Sequence, residues 1–259
     1  MLRVGAMSNA DARCSAPMKG EDADARAARS LDPKKAVACT PTSSALMGAT
    51  GSGANASVPS ENSTQYAVAH RVITGCASIH GSLVCARRIA RVLGRERPLW
   101  DEVRRGLGVI LREREYLFRD ASVPEGPGRY SMDWYYPVLG GALRGNAARV
   151  RLQAERERFI GEGVGCRCVA DRAWYTVAET CELVMALDAG GLQEQGRALF
   201  EWVQRLRCKD GGYWMGISYP NQLRWPPERP SWTAATVILA ADTLDGNSTT
   251  SSFFRDLAD

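Results

Sequence analysis

The sequence predicts a mainly α fold, built as a partial two-layer α/α toroid of helical hairpins. Three observations carry this expectation. Apolar helical segments alternate with amphipathic, charged ones from about residue 66 onward. A short internal repeat recurs 57 residues apart, with Thr176-Val177-Ala178-Glu179 and Leu187-Asp188 matching Thr233-Ala234-Ala235-Thr236 and Leu244-Asp245, each block preceded by a tryptophan, Trp174 or Trp232. The helix around Leu199 and Val203 ends in a glycine turn closed by aromatics, Asp210-Gly211-Gly212-Tyr213-Trp214.

Residues 1–64 are rich in Ala, Gly, Ser, Asn and Thr, hold no aromatic residue and sustain no apolar period, so they are expected to form a disordered low-complexity tail. The helical domain is expected over 65–246. Its first segment, 72–93, carries Val72, Ile73, Cys76, Ile79, Leu83, Val84, Ile89, Val92 and Leu93 up to Gly94. The second, 99–113, mixes Trp100, Val103, Leu107, Ile110 and Leu111 with Arg104, Arg105 and Glu113. Residues 133–144 are aromatic and apolar, and 146–160 are strongly charged. Residues 176–189 are again apolar, 192–207 amphipathic, and 233–244 almost wholly apolar. A helix apolar on all sides must be enclosed by protein, so the first, third, fifth and seventh segments are predicted inner and the others outer. Strand-like alternation is confined to a few residues around Tyr213 to Tyr219. Residues 247–259 are expected to be a second tail.

Composition narrows the function classes. The net charge is only +4, and acidic and basic residues are interspersed, as in Arg149, Arg151, Glu155, Arg156, Glu157 and Arg158. No basic block would track a phosphate backbone, so no nucleic-acid role is expected. No apolar run reaches the length of a membrane span, and the opening residues are not expected to form a secretory leader. The eight cysteines form no secreted-domain framework. A cytoplasmic location is the resulting expectation.

The segment Arg197 to Gln204, followed by Gly212-Tyr213-Trp214, resembles the QW motif of squalene cyclases and of the wider terpenoid cyclase and protein prenyltransferase group. Further stretches carry the resemblance: Thr74-Gly75-Cys76-Ala77-Ser78-Ile79-His80, Met132 to Leu139, Gly165-Cys166-Arg167-Cys168-Val169, Ala178 to Leu183, and Trp225-Pro226 through Trp232-Thr233-Ala234-Ala235. The resemblance implies an α/α toroid around a central cavity, with Gln204 tying down a neighbouring helix end and Trp214 packed between hairpins. It implies a prenyltransferase-like or terpene-cyclase-like protein that binds or acts on a prenyl or other hydrophobic substrate. Two departures stand out. Seven helical segments are too few for a closed ring, and residues 1–64 occupy the place of the first hairpins, as a divergent form or a wrong gene start would produce. Self-association through the open edge is then expected. The Asp-x-Asp-Asp acid motif of cyclases is missing, and His70 and His80 are the only histidines, far from the carboxy-terminal cysteines, so the prenyltransferase zinc set does not transfer either.

Candidate catalytic residues are Asp133, Glu179 and Glu182. Asp133 precedes Trp134, Tyr135 and Tyr136 and could be a cavity acid beside cation-stabilising aromatics, or the N-cap of its helix with Pro137 in the first turn. Glu179 and Glu182 lie three apart on one helix, where one carboxyl would be driven toward its neutral acid. Thr176 to Glu179 also matches a capping box, whereas Glu182 sits in an otherwise apolar helix outside that box. Candidate substrate contacts are Trp134, Tyr135, His80, Trp214 and Trp232, with His80 also readable as a core histidine. Cys166 and Cys168 are too closely spaced for a zinc pair, so no metal and no cofactor are expected.

The loop Asp210 to Trp232 gathers Tyr213, Trp214, Tyr219, Trp225 and Trp232 with Asn221, Gln222 and Glu228. It suits a sugar platform or a structural clasp. The alternative function is therefore a carbohydrate-active α/α-toroid enzyme. It would use paired carboxylates, Asp133 with Glu182 or Glu228, about 5 to 9 Å apart. A non-catalytic scaffold is the third reading.

Overall fold

Helix formation follows the apolar periods. The computed structural model describes residues 73–118, 128–219 and 221–257, and the 1–64 tail lies outside them. Among the described residues are eight α-helices: α1 (Ile73–Val92), α2 (Pro98–Glu113), α3 (Ser131–Leu139), α4 (Gly145–Ala154), the single turn α5 (Arg156–Phe159), α6 (Val177–Ala189), α7 (Gln193–Val203) and α8 (Ser231–Asp245). Pro98 opens α2, where a missing N–H costs nothing. Gly246 closes α8 in the left-handed conformation.

The apolar helices form a row in which α1 packs on α3, α3 on α6 and α6 on α8, while α2 backs α1, α4 backs α3 and α7 backs α6. Helix α6 lies at the centre: eleven of its side chains, from Val177 to Asp188, are buried. The two helices of the repeat, α6 and α8, are neighbours. Predicted enclosure fails at the ends of the row. Ile238 is 68% exposed on α8, and Ile79, Ile89 and Val92 are exposed on α1. Within the row, each end helix has one neighbouring row helix among the described residues. These apolar surfaces are the ones on which the expectation of self-association rests.

A five-stranded antiparallel sheet, ordered β1-β2-β3-β4-β5, corrects the expectation of almost no β structure. Its strands are β1 (Ile160–Gly161), β2 (Gly165–Arg167), β3 (Trp174–Thr176), β4 (Gly216–Ser218) and β5 (Leu223–Arg224). Strands of two or three residues show no period-two alternation, so only β4 left a trace in the sequence. The sheet lies against α6 through β2 and β3. Residues 247–257, read from the sequence as a tail, pack onto the domain, with Ser251 and Leu257 buried and Arg255 bound to Asp188. No described helix is long and apolar enough to cross a membrane.

The contact between α1 and α3 depends on glycine. A Cβ on Gly140 would collide with the Ala77 carbonyl, and one on Gly81 would come 3.2 Å from the Gly140 oxygen. Gly140→Ala is expected to destabilise the domain by about 1–3 kcal/mol, as overpacking does. Gly106→Ala, in α2, meets nothing within 4 Å. It should stabilise by about 0.5–1 kcal/mol. Urea denaturation of the two variants checks the opposite signs.

Candidate active site

The charged chemistry of the core centres on Glu182, in the middle of α6. The residue retains some solvent contact, but its carboxyl is enclosed by protein. Consecutive tyrosines of α3 reach it: the Tyr135 hydroxyl donates to Oε2 at 2.6 Å and the Tyr136 hydroxyl to Oε1 at 3.0 Å. The two rings pack 5.5 Å apart, tilted by 40°. Burial pushes the Glu182 carboxyl up to about 7; the Glu179 charge adds to this, and the tyrosine hydrogen bonds act against it. Burial and the same two carboxylates raise both tyrosines well above their ordinary value, so they stay neutral donors.

Glu179 is buried, and its Oε2 has no hydrogen-bond partner among the described residues. The predicted capping box does not form. Thr176 is the N-cap of α6, but its side chain caps nothing, and its hydroxyl is likewise unpartnered among the described residues. The sheet displaces the box: Thr176 pairs with Cys166 and Gly216 in β2 and β4. Thr180 accepts the Cys166 amide at 2.9 Å and donates to the Thr176 carbonyl. Glu179 is therefore left beside Glu182, where its charge holds the proton on its neighbour.

Asp133 is the third residue of α3 rather than its cap. Its Oδ1 accepts the amide and the hydroxyl of Thr74 at 3.2 and 2.8 Å, so it caps the start of α1. Sequence reasoning missed this pairing because the partners are 59 residues apart. Trp134 is a core residue: it is buried, stacked on Phe159 at 5.7 Å, and its indole donates to the Arg151 carbonyl. Tyr135 is fully buried as a Glu182 partner. His80 is buried in α1, its Nδ1 2.8 Å from the Gly140 carbonyl, and lines a cavity of about 330 Å³ between α1, α2 and the α3–α4 loop.

In the aromatic loop, Trp214 is half-buried, with Arg224 and Arg229 over its ring at 5.1 and 5.7 Å. Trp174 donates to the Trp225 carbonyl and meets its ring edge-on. Trp232 and Tyr219 remain about half exposed. Glu228 is exposed. Its amide donates to the Pro226 carbonyl, and its carbonyl accepts the Met215 amide. Cys166 and Cys168 are buried and not joined in a disulfide. Gln204 turns to its own loop, accepting from the Tyr213 hydroxyl at 2.8 Å.

No family model matches the chain. The chain is 45% identical over 184 residues to the MMP endo-(1,4)-3-O-methyl-alpha-D-mannosidase of Mycolicibacterium hassiacum, a match covering 71% of this chain and 50% of that protein. The chain thus spans about half the length of the curated relative it matches. This similarity overturns the resemblance to squalene cyclases and prenyltransferases, and with it the transferase expectation. The QW-like spacing has a local cause here. Gln204 and Tyr213 close the turn after α7, and Trp214 serves the arginines of its own loop, as any helix followed by a glycine turn and aromatics can.

Proposed function

We propose that the protein is a carbohydrate-active glycosidase, with Glu182 as the proton donor to the glycosidic oxygen. The observation that carries this reading is a carboxyl raised to about 7 in the apolar centre of the fold, held by two tyrosine hydroxyls beside a second carboxylate. Such a group is protonated near neutrality and can give its proton to a leaving oxygen. Glu179 favours the protonated form of Glu182. Asp133 keeps α1 seated on α3 through Thr74 and so positions the tyrosine-bearing helix. The curated relative supports a glycan substrate, namely a 1,4-linked 3-O-methyl-α-D-mannose chain cut internally. The half-exposed Trp232 and Tyr219 are suited to stack on sugar rings. The row of hairpins supports a partial α/α toroid as the frame of the site.

Incubation of the protein with 1,4-linked 3-O-methylmannose oligosaccharides tests the proposal. Shorter oligosaccharides with new reducing ends are expected. Failure to cleave or bind any α-mannoside would favour a non-catalytic scaffold. Tyr135→Phe removes a hydrogen bond that stabilises the ionised carboxyl. It should therefore move the alkaline limb of the rate profile up by about 0.5–1 pH unit, read from kcat against pH.

A further inference from the structure

The cavity between α1, α2 and the α3–α4 loop carries chemistry that glycan cleavage does not use. Its wall brings together His80, Arg104, Arg112 and Arg144 beside Val84 and Leu257, and among the described residues no carboxylate lines it. Nor is any lining residue a partner of Glu182.

Arg144 decides what the cavity is suited to hold. All three of its guanidinium nitrogens are buried, and none has a hydrogen-bond partner among the described residues. A guanidinium withdrawn from water is costly unless oxygens replace its hydration shell. Burial lowers the pKa of Arg144; the Asp256 charge opposes this without a hydrogen bond, and Arg88 reinforces it.

The surrounding charge is in excess of one sign. Arg112 gives Nη1 to the Ala142 carbonyl at 3.2 Å. Arg104 shares the Asp101 carboxylate with Arg87 and Arg105. Arg87, Arg88 and Arg91 line a smaller recess that also borders Val84.

We propose that this cavity binds the phosphate group of a small molecule, with Arg144 and Arg112 as its ligands. Guanidinium forks match phosphate oxygens in pairs. A dianion answers two arginines where a carboxylate would answer one. The volume of about 330 Å³ also leaves room for a sugar-sized group beyond the phosphate.

Thermal melts and calorimetry on the full chain test this, using inorganic phosphate, mannose 1-phosphate and mannose at constant ionic strength in chloride. Both phosphates should raise Tm by a few degrees at about 10 mM, and mannose should not. A larger shift with mannose 1-phosphate assigns the site to a phosphomonoester, and equal shifts assign it to inorganic phosphate. Arg144→Met should abolish the shift, while its own Tm without ligand equals or exceeds that of the parent, because an uncompensated buried charge is gone. Its glycan cleavage should be unchanged. Arg112→Gln, on the exposed side of the wall, should weaken binding about tenfold and carries the test should Arg144→Met not fold. Phosphate shifts that are absent from the parent, or equal in the parent and both variants, would overturn the proposal.

Discussion

Glu182→Gln is expected to lower kcat for glycan cleavage by about 10²- to 10⁴-fold, the usual contribution of a positioned acid, with KM little changed. Gln is nearly isosteric and still accepts from a tyrosine, but it has no proton to give. The same variant should alter stability in a pH-dependent way. Glu182 takes its proton at about 7 in the folded protein, against an ordinary value of 4.5. Between these values the folded state binds more protons than the unfolded one, so stability falls as pH rises from 4.5 to about 7 and stays low above. The cost at pH 8 is about 3 kcal/mol, at roughly 1.4 kcal/mol for each tenfold change in proton affinity. Glu182→Gln removes that cost. It should melt above the parent at pH 8 and near it at pH 4.5. A variant that loses activity and also melts lower at pH 8 would instead mark Glu182 as structural.

Arg255→Ala is expected to lower stability by about 2–3 kcal/mol, the low end for a broken buried pair, since Arg255 itself is partly exposed. Its Nη1 binds both oxygens of Asp188 at 2.7 and 2.8 Å. The Asp188 side chain is 1% exposed, and its other partner is Gln193 at 3.0 Å. Removing Arg255 leaves a carboxylate on α6 without its counter-charge. Asp188→Asn introduced together with Arg255→Ala should recover part of the loss, because no unpaired charge then remains. Chemical denaturation of the single and double variants measures this. Additive losses would show that the two residues act apart.

Much of the helical frame was legible because its residues repeat at helical spacing. Val177, Val184 and Leu187 on α6, and Leu199 and Val203 on α7, fall where the periodicity placed them. The sheet was not legible, since its strands are held by pairing between distant short segments rather than by their own pattern. Glu182 could be singled out because a carboxyl in an otherwise apolar stretch, outside the capping-box spacing, has few harmless explanations. Glu179 was read as half of a capping box because Thr176 stands at the right spacing. Only the sheet, which ties up the Thr176 backbone, shows why the box stays open. The Asp133–Thr74 bond and the orphaned Arg144 depend on elements that meet only after folding. The QW-like pattern misled because residue types alone do not say which partner a side chain will choose.

The claim on which the account depends is that Glu182 keeps its proton near neutrality inside the fold. Titrating the protein with carboxyl-¹³C-labelled glutamate, with Glu182→Gln identifying the resonance, measures this directly. A midpoint near 7 is predicted. A midpoint at the ordinary glutamate value near 4.5 would contradict it, for Glu182 would then be an ionised carboxylate with no proton to donate.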